Sequence, residues 1–190
     1  MQVRVLALVA ALTTISALAA TDAAAQQRGR GGFTLPPLIM TTDAFPDGGV
    51  VPEKFAMRGG NIQPAFKFAG APDSTVTYAL IFHDLDVAFG GNTDDVLHWM
   101  VWNIPASAGG IPEGQLPDGA VSSTSSIRKG AYTGPGAPAG ERYHHYVFEL
   151  YALSAKLDLP ATATRAELLA AMVGKVTAKS AYVGRYRGSQ

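Results

Sequence analysis

"STVTYALIFHD" (Ser74–Asp84) and "VLHWMVWNIP" (Val96–Pro105) flank the turn-rich stretch "LDVAFGGNTDD". Both runs are β-branched and aromatic, with apolar residues on both faces, and both read as buried strands. A third strong run, "HHYVFELYALS" (His144–Ser154), and a brief one, "AFKFAG", share this character. The runs are divided by "GG", "PDG" and "PG" dipeptides, and no internal repeat is visible. Short strands punctuated in this way predict a mainly β sandwich or barrel, not alternating β and α elements.

One helix is expected. Thr164-Arg165-Ala166-Glu167 has the form of a capping box. Leu168, Leu169, Met172, Val173 and Val176 then follow a helical stripe. Gly174 should weaken it by about 1 kcal/mol relative to Ala. Lys175 and Lys179 should favour its C-terminal end through the dipole. The helix would pack over the sheet, and "SAYVGRY" would return as a strand.

Side chains alternate along a strand, so residues two apart share a face. Val76, Tyr78, Leu80, Phe82 and Asp84 form one row, and Asp86 continues it if the chain stays extended. His98, Met100, Trp102 and Ile104 form a second row; His144, Tyr146, Phe148 and Leu150 form a third. If the polar ends converge, they make a pocket of two carboxylates, two imidazoles and a phenol. His83 and His145 should face the other way. Asp94 and Asp95 read as turn residues with an Asx-type capping role. Trp99 and Trp102 read as core.

"YTGPGAPAGERYHHY" (Tyr132–Tyr146) feeds a glycine-rich loop into the His144 run, where backbone N–H groups could turn towards an anion. The phosphate-loop and dinucleotide patterns are absent. So are H-E-x-x-H and G-x-S-x-G, and the serines Ser122, Ser123, Ser125 and Ser126 read as connector residues. The spacing His83–Asp86 is H-x-x-D, and alternation turns His83 away, so no metal and no cofactor are expected. Cysteine is absent, which excludes thiolate catalysis and Cys-based metal sites.

The 190 residues are 47% hydrophobic and 16% charged, enough for one domain with a sizeable core. Lys+Arg and Asp+Glu are both 15, a balance that gives no footprint for nucleic acid. Arg4, the apolar stretch Val5–Ala20 and Ala23-Ala24-Ala25 read as a secretory signal, residues 1–25, too short for a stable membrane span. Ala17-Leu18-Ala19 fits the cleavage rule as well. Residues 26–37, "QQRGRGGFTLPP", read as a flexible leader, and 38–190 as the folded domain. The expected location is periplasmic or secreted.

Several of these stretches carry a resemblance. "HDLDVAFGGNTDDVLHWMVWNIPA" resembles the D-P-D-x-P, H-W and N-I-P-A segments of the phosphatidylethanolamine-binding protein family, in its bacterial Raf kinase inhibitor-like branch. "GAYTGPGAPAGERYHHYVFELYALS" resembles the family's G-Y-x-G-P-x-P-P-x-G-x-x-H-x-Y-x-F motif. "NIQPAFKF" is similar to N-I-S-P-x-L-x-W, and "AMVGKVTAKSAYVGRY" to the C-terminal helix and tail. Leu85 and Ala88 replace prolines of the pattern, and Gln63 replaces its serine.

The resemblance implies a β-sandwich with Greek-key connections and a small anion pocket. It assigns Asp84 and Asp86 as the acids, His98 and His144 as the imidazoles, Tyr146 as the phenol and Gly136 as a backbone contributor. The function expected is an exported, non-enzymatic binding protein for phosphate, a phospholipid head group or a carboxylate. The imidazoles, Tyr146 and backbone N–H groups would donate. Two neighbouring acids raise one another's pKa, so one of them could also donate. The alternatives are a protein-interaction module that inhibits a protease or kinase, and a hydrolase or lyase using Asp84 and His98 as an acid–base pair.

Overall fold

The computed structural model describes residues 37–91, 93–123, 132–140 and 142–189. The expected signal segment and all of the leader except Pro37 lie outside the described residues. In chain order the strands are β1 (Ile39–Thr41), β2 (Gly49–Val50), β3 (Phe66–Ala69), β4 (Thr77–Asp84), β5 (Val96–Pro105), β6 (Gly110–Ile111), β7 (Val121–Ser123), β8 (His144–Leu153) and β9 (Val176–Tyr186). The helix α1 (Arg165–Met172) falls between β8 and β9.

Six strands form one sheet in the order β2-β9-β8-β4-β5-β7, antiparallel except for the β2–β9 pair. Three form a second sheet in the order β1-β3-β6. Their inner faces share one core, in which Phe66 and Phe68 of β3 meet Tyr78, Leu80, Phe82 and Phe148. Phe82 and Phe148 stack with ring centroids 4.0 Å apart. The outer face of the large sheet carries a second apolar layer. There Ala79, Ile81, Met100, Trp102 and Leu153 are covered by Leu157, Ala163, Leu168 and Met172. Every residue of β4 is buried, because both its faces are covered. Among the described residues this is the expected mainly β sandwich with one α-helix.

Two bulges in β5 break the expected row of alternating side chains. Phe82 pairs with Trp99 and His83 with Leu97, so His98 is an extra residue. His98 and Trp99 therefore both face the inner layer, while Met100 and Trp102 face the outer one. Between the Leu80–Val101 and Tyr78–Ile104 pairs a second extra residue intervenes. Asn103 there has φ 56°, and Ile104 returns to the inner core. Of the expected row, Ile104 alone shares the inner face with His98.

The capping box of α1 is present: Thr164 Oγ1 accepts from Glu167 N–H at 3.2 Å, and Glu167 Oε2 accepts from Thr164 N–H at 2.7 Å. The helix is shorter than its apolar stripe. Gly174, at φ 74°, ends it instead of weakening its interior. Lys175 Nζ donates to the Ala171 carbonyl at 2.8 Å, as a C-terminal cation should. Val176 and Lys179 belong to β9, and Lys179 Nζ pairs with Glu149 Oε1 at 2.8 Å.

Candidate functional site

Asp84 ends β4 between Val96 of β5 and Tyr146 of β8. It is 2% exposed, so its carboxylate must find partners within the protein. Oδ2 accepts from His144 Nδ1 at 2.8 Å, and Oδ1 accepts from the Asp86 backbone N–H at 2.8 Å. His144 is thereby oriented with its Nδ1–H on the acid and Nε2 on the far side of the ring.

The second bond marks where extended chain stops. A turn follows Asp84, and Asp86 does not continue the row. Its carboxylate instead accepts from His145 N–H at 2.5 Å, from His145 Nδ1 at 3.0 Å and from Arg142. Burial alone would raise its pKa, but the Arg142 and His145 donors prevail and hold it at about 2. Asp86 is therefore an ionised acceptor, not the shared-proton partner of Asp84 that adjacent acids suggested.

His98 is 2% exposed and fixed by a loop, not by an acid. Its Nδ1 donates to the Thr133 carbonyl at 2.8 Å, with the Gly134 carbonyl 3.1 Å away. Burial pushes the imidazole pKa below its ordinary value, against the opposing pull of those carbonyls and of Asp84. The ring is thus neutral at pH 7, and Nε2 carries a lone pair. His98 offers an acceptor where a donor was expected.

Tyr146 stands edge-on to His98, ring centroids 5.3 Å apart, and is 1% exposed. Its phenol oxygen accepts from the Gly136 and Ala137 N–H groups at 3.1 and 3.0 Å. The glycine-loop donors expected to meet an anion are used here on the phenol. Burial, and then the Asp84 charge, raise the Tyr146 pKa far above its ordinary value. Tyr146 is therefore a neutral phenol, and its own O–H bonds the Asp84 carboxylate.

Asp84, His98, Gly136, His144 and Tyr146 line one cavity of about 340 Å³. Met57, Val87, Val96, Ala137 and Pro138 complete its walls, and Asp86 lies outside the lining. Apolar walls around a polar floor lower the local dielectric and strengthen each hydrogen bond formed there. Met57 and Thr133 gave no sequence signal. Met57 is a lone residue in a loop, and the role of Thr133 is carried by its carbonyl.

His83 faces the outer layer, as alternation predicts. It is 5% exposed, with Nδ1 2.6 Å from Asp95 Oδ2 and Nε2 3.5 Å from Glu149 Oε2. Arg165 pairs with Asp95 and approaches Glu149. Asp95 is thus a member of a charged cluster beneath α1, beyond the turn role its sequence context suggested. Among the described residues, no group of three or more His, Cys, Asp or Glu side chains is gathered for a metal. No helix among them is long and apolar enough to cross a membrane.

The family model for phosphatidylethanolamine-binding proteins matches residues 41–187. A UPF0098 protein of Methanothermobacter thermautotrophicus is 36% identical over 153 residues, covering 78% of this chain and 97% of that protein. LppC of Mycobacterium tuberculosis, named as a candidate lipoprotein, is 34% identical over 152 residues, covering 80% of this chain and 73% of its own length. The crystal structure of CT736 from Chlamydia trachomatis, a candidate homologue of phosphatidylethanolamine-binding protein, superposes with a TM-score of 0.74 at 28% identity, covering 80% of this chain and 98% of that one. The matched span begins in β1 and ends just past β9, so it takes in both sheets and every residue of the cavity floor. The chain belongs to the phosphatidylethanolamine-binding protein family.

Proposed function

We propose that this chain is an exported binding protein whose cavity takes a small acidic group that keeps a proton, such as hydrogen phosphate or a phosphoryl head group. The observation that carries the reading is the mixed character of the cavity floor. Tyr146 has its oxygen occupied by two N–H groups and keeps a proton, shared with the Asp84 carboxylate, that it can turn to a ligand oxygen. His98 has its Nδ1–H occupied and its Nε2 left to accept. A ligand with one anionic oxygen and one hydroxyl satisfies both. His144, held through Nδ1 by the Asp84 carboxylate, adds its other ring nitrogen to the lining.

Calorimetric titration of the mature chain at pH 7 tests this. Phosphate and phosphorylethanolamine should bind, and sulfate, which carries no proton at that pH, should bind at least roughly tenfold more weakly, the loss of one hydrogen bond. Absence of heat with all three would remove the anion reading. The export half rests on the signal-like residues 1–25 and on relatedness to a candidate lipoprotein. Intact mass of protein from the extracytoplasmic fraction should start near Gln26; a chain retaining Met1 contradicts it.

A further inference from the structure

His98 is not held by its own strand alone. Its backbone carbonyl accepts from Thr133 N–H at 3.3 Å, and its ring donates back to the Thr133 carbonyl at 2.8 Å. The ring therefore follows residues 133 and 134 wherever they go. Those residues lie outside the named strands, and among the described residues no β-ladder fixes their carbonyls. Asn61 does so from the other side. Its Nδ2 donates to the Tyr132 carbonyl at 3.3 Å, and its Oδ1 accepts from Gly134 N–H at 2.9 Å. One carboxamide thus spans residues 132–134 in the manner of a neighbouring strand.

The chain before Asn61 reinforces this grip. Tyr132 Oη donates to the Phe55 carbonyl at 3.0 Å, and Met57 N–H donates to the Pro135 carbonyl at 2.9 Å. A Cβ added at Gly134 would stand 2.0 Å from the Phe55 carbonyl oxygen, so the two segments touch backbone to backbone. Asn61 itself has φ 50°, a left-handed conformation that asparagine adopts more readily than other non-glycine residues. Its N–H donates to the Ala56 carbonyl at 3.0 Å. Asn61 is not among the residues lining the cavity, so any effect it has there is transmitted through His98.

We propose that Asn61 is a positioning residue for the cavity: by bridging the Tyr132 carbonyl and the Gly134 N–H, it sets the carbonyls that hold His98 as the Nδ1–H tautomer with Nε2 facing the ligand. Its importance for binding rests on the anion reading given above, but the ring tautomer is a property of the unliganded chain.

The test reads the His98 ring directly, by two-bond ¹⁵N–¹H NMR correlation at pH 7, alongside titration with inorganic phosphate. Wild type should show a single Nδ1–H pattern. Asn61→Gly keeps the left-handed backbone and removes the carboxamide; it should show mixed tautomers and bind phosphate roughly tenfold more weakly. Asn61→Asp keeps the acceptor for Gly134 N–H and loses only the bond to Tyr132. It should retain the Nδ1–H pattern while exchanging that proton with water about tenfold faster than wild type. If Asn61→Gly does not fold, the exchange rate in Asn61→Asp decides. A wild-type ring pattern in folded Asn61→Gly, or unchanged exchange in Asn61→Asp, overturns the proposal. Should wild type bind no phosphate, the anion reading fails, and the ring spectra still decide the role of Asn61.

Discussion

Asp84 and His144 meet at 2.8 Å, carboxylate Oδ2 to ring Nδ1, at the inner end of a cavity that excludes most water from both. A pair of this kind acts as a unit. The acid orients the ring, and the ring turns its other nitrogen, Nε2, away from the acid.

His144→Ala should weaken phosphate binding roughly tenfold to a hundredfold, the range of one charge-assisted hydrogen bond. Asp84→Ala should cost nearly as much without contacting the anion. The double variant should be little worse than either single one. Calorimetry across the four proteins gives the coupling; strictly additive losses would show that the two side chains act separately.

Much of this site was readable from strand periodicity. Asp84, His144 and Tyr146 lie where alternation along β4 and β8 places them. His98 reached the same face by a different route. The bulge that adds it to β5 also sends Met100 and Trp102 to the outer layer, and nothing in "VLHWMVWNIP" marks an extra residue. Asp86 was misplaced because the chain turns at Leu85, and a turn resets which side the next residue faces. The long-range partners were not legible at all. Asp95 meets His83, and Asn61 meets Gly134, through contacts that local patterns do not encode.

The outer-layer cluster makes a separable prediction. His83→Ala leaves Asp95 with Arg165 alone and removes one ring from beside Glu149. The expected loss is about 1–3 kcal/mol of stability, the cost of stranding a buried partner. Phosphate affinity per folded molecule should be unchanged, because His83 faces away from the cavity. Urea unfolding and calorimetry together check it; a large affinity loss in a fully folded His83→Ala would mean that the two faces of the sheet are coupled.

Acid should weaken the fold in two ranges. The His98 pKa lies below its unfolded value near 6.5, so the unfolded chain takes up the proton first. Stability from this group is complete above pH 6.5 and declines as pH falls through the folded pKa. His98→Asn keeps a donor near Nδ1 without titrating, so the decline just below pH 6.5 should be shallower.

Lower down, Asp86 and Glu149 have folded pKa values of about 2. Arg142 and His145 outweigh burial at Asp86; His83, followed by Lys179, does so at Glu149. Their stabilisation is present above the unfolded carboxylate range near 4 and is lost as pH approaches 2. Asp86→Asn and Glu149→Gln should each flatten that acid limb in urea titrations. An unaltered slope in either variant would show that its carboxylate is not stabilised by folding.

Gly136 presses against Met57, and both line the cavity. A Cβ on Gly136 would come within 2.1 Å of Met57 Cε, the far end of a flexible side chain. The backbone there is not left-handed, so no strain opposes a side chain as such. Gly136→Ala should therefore fold with a stability change below about 1 kcal/mol, since methionine can re-orient. The displaced methyl must go somewhere, and the open space beside it is the cavity. Phosphate binding should fall, and Met57→Ala in the same chain should restore it by removing the displaced group. Rescue in the double variant identifies crowding as the cause. If Met57→Ala gives no recovery, crowding is not the cause, and Gly136 matters instead through the N–H it offers to Tyr146.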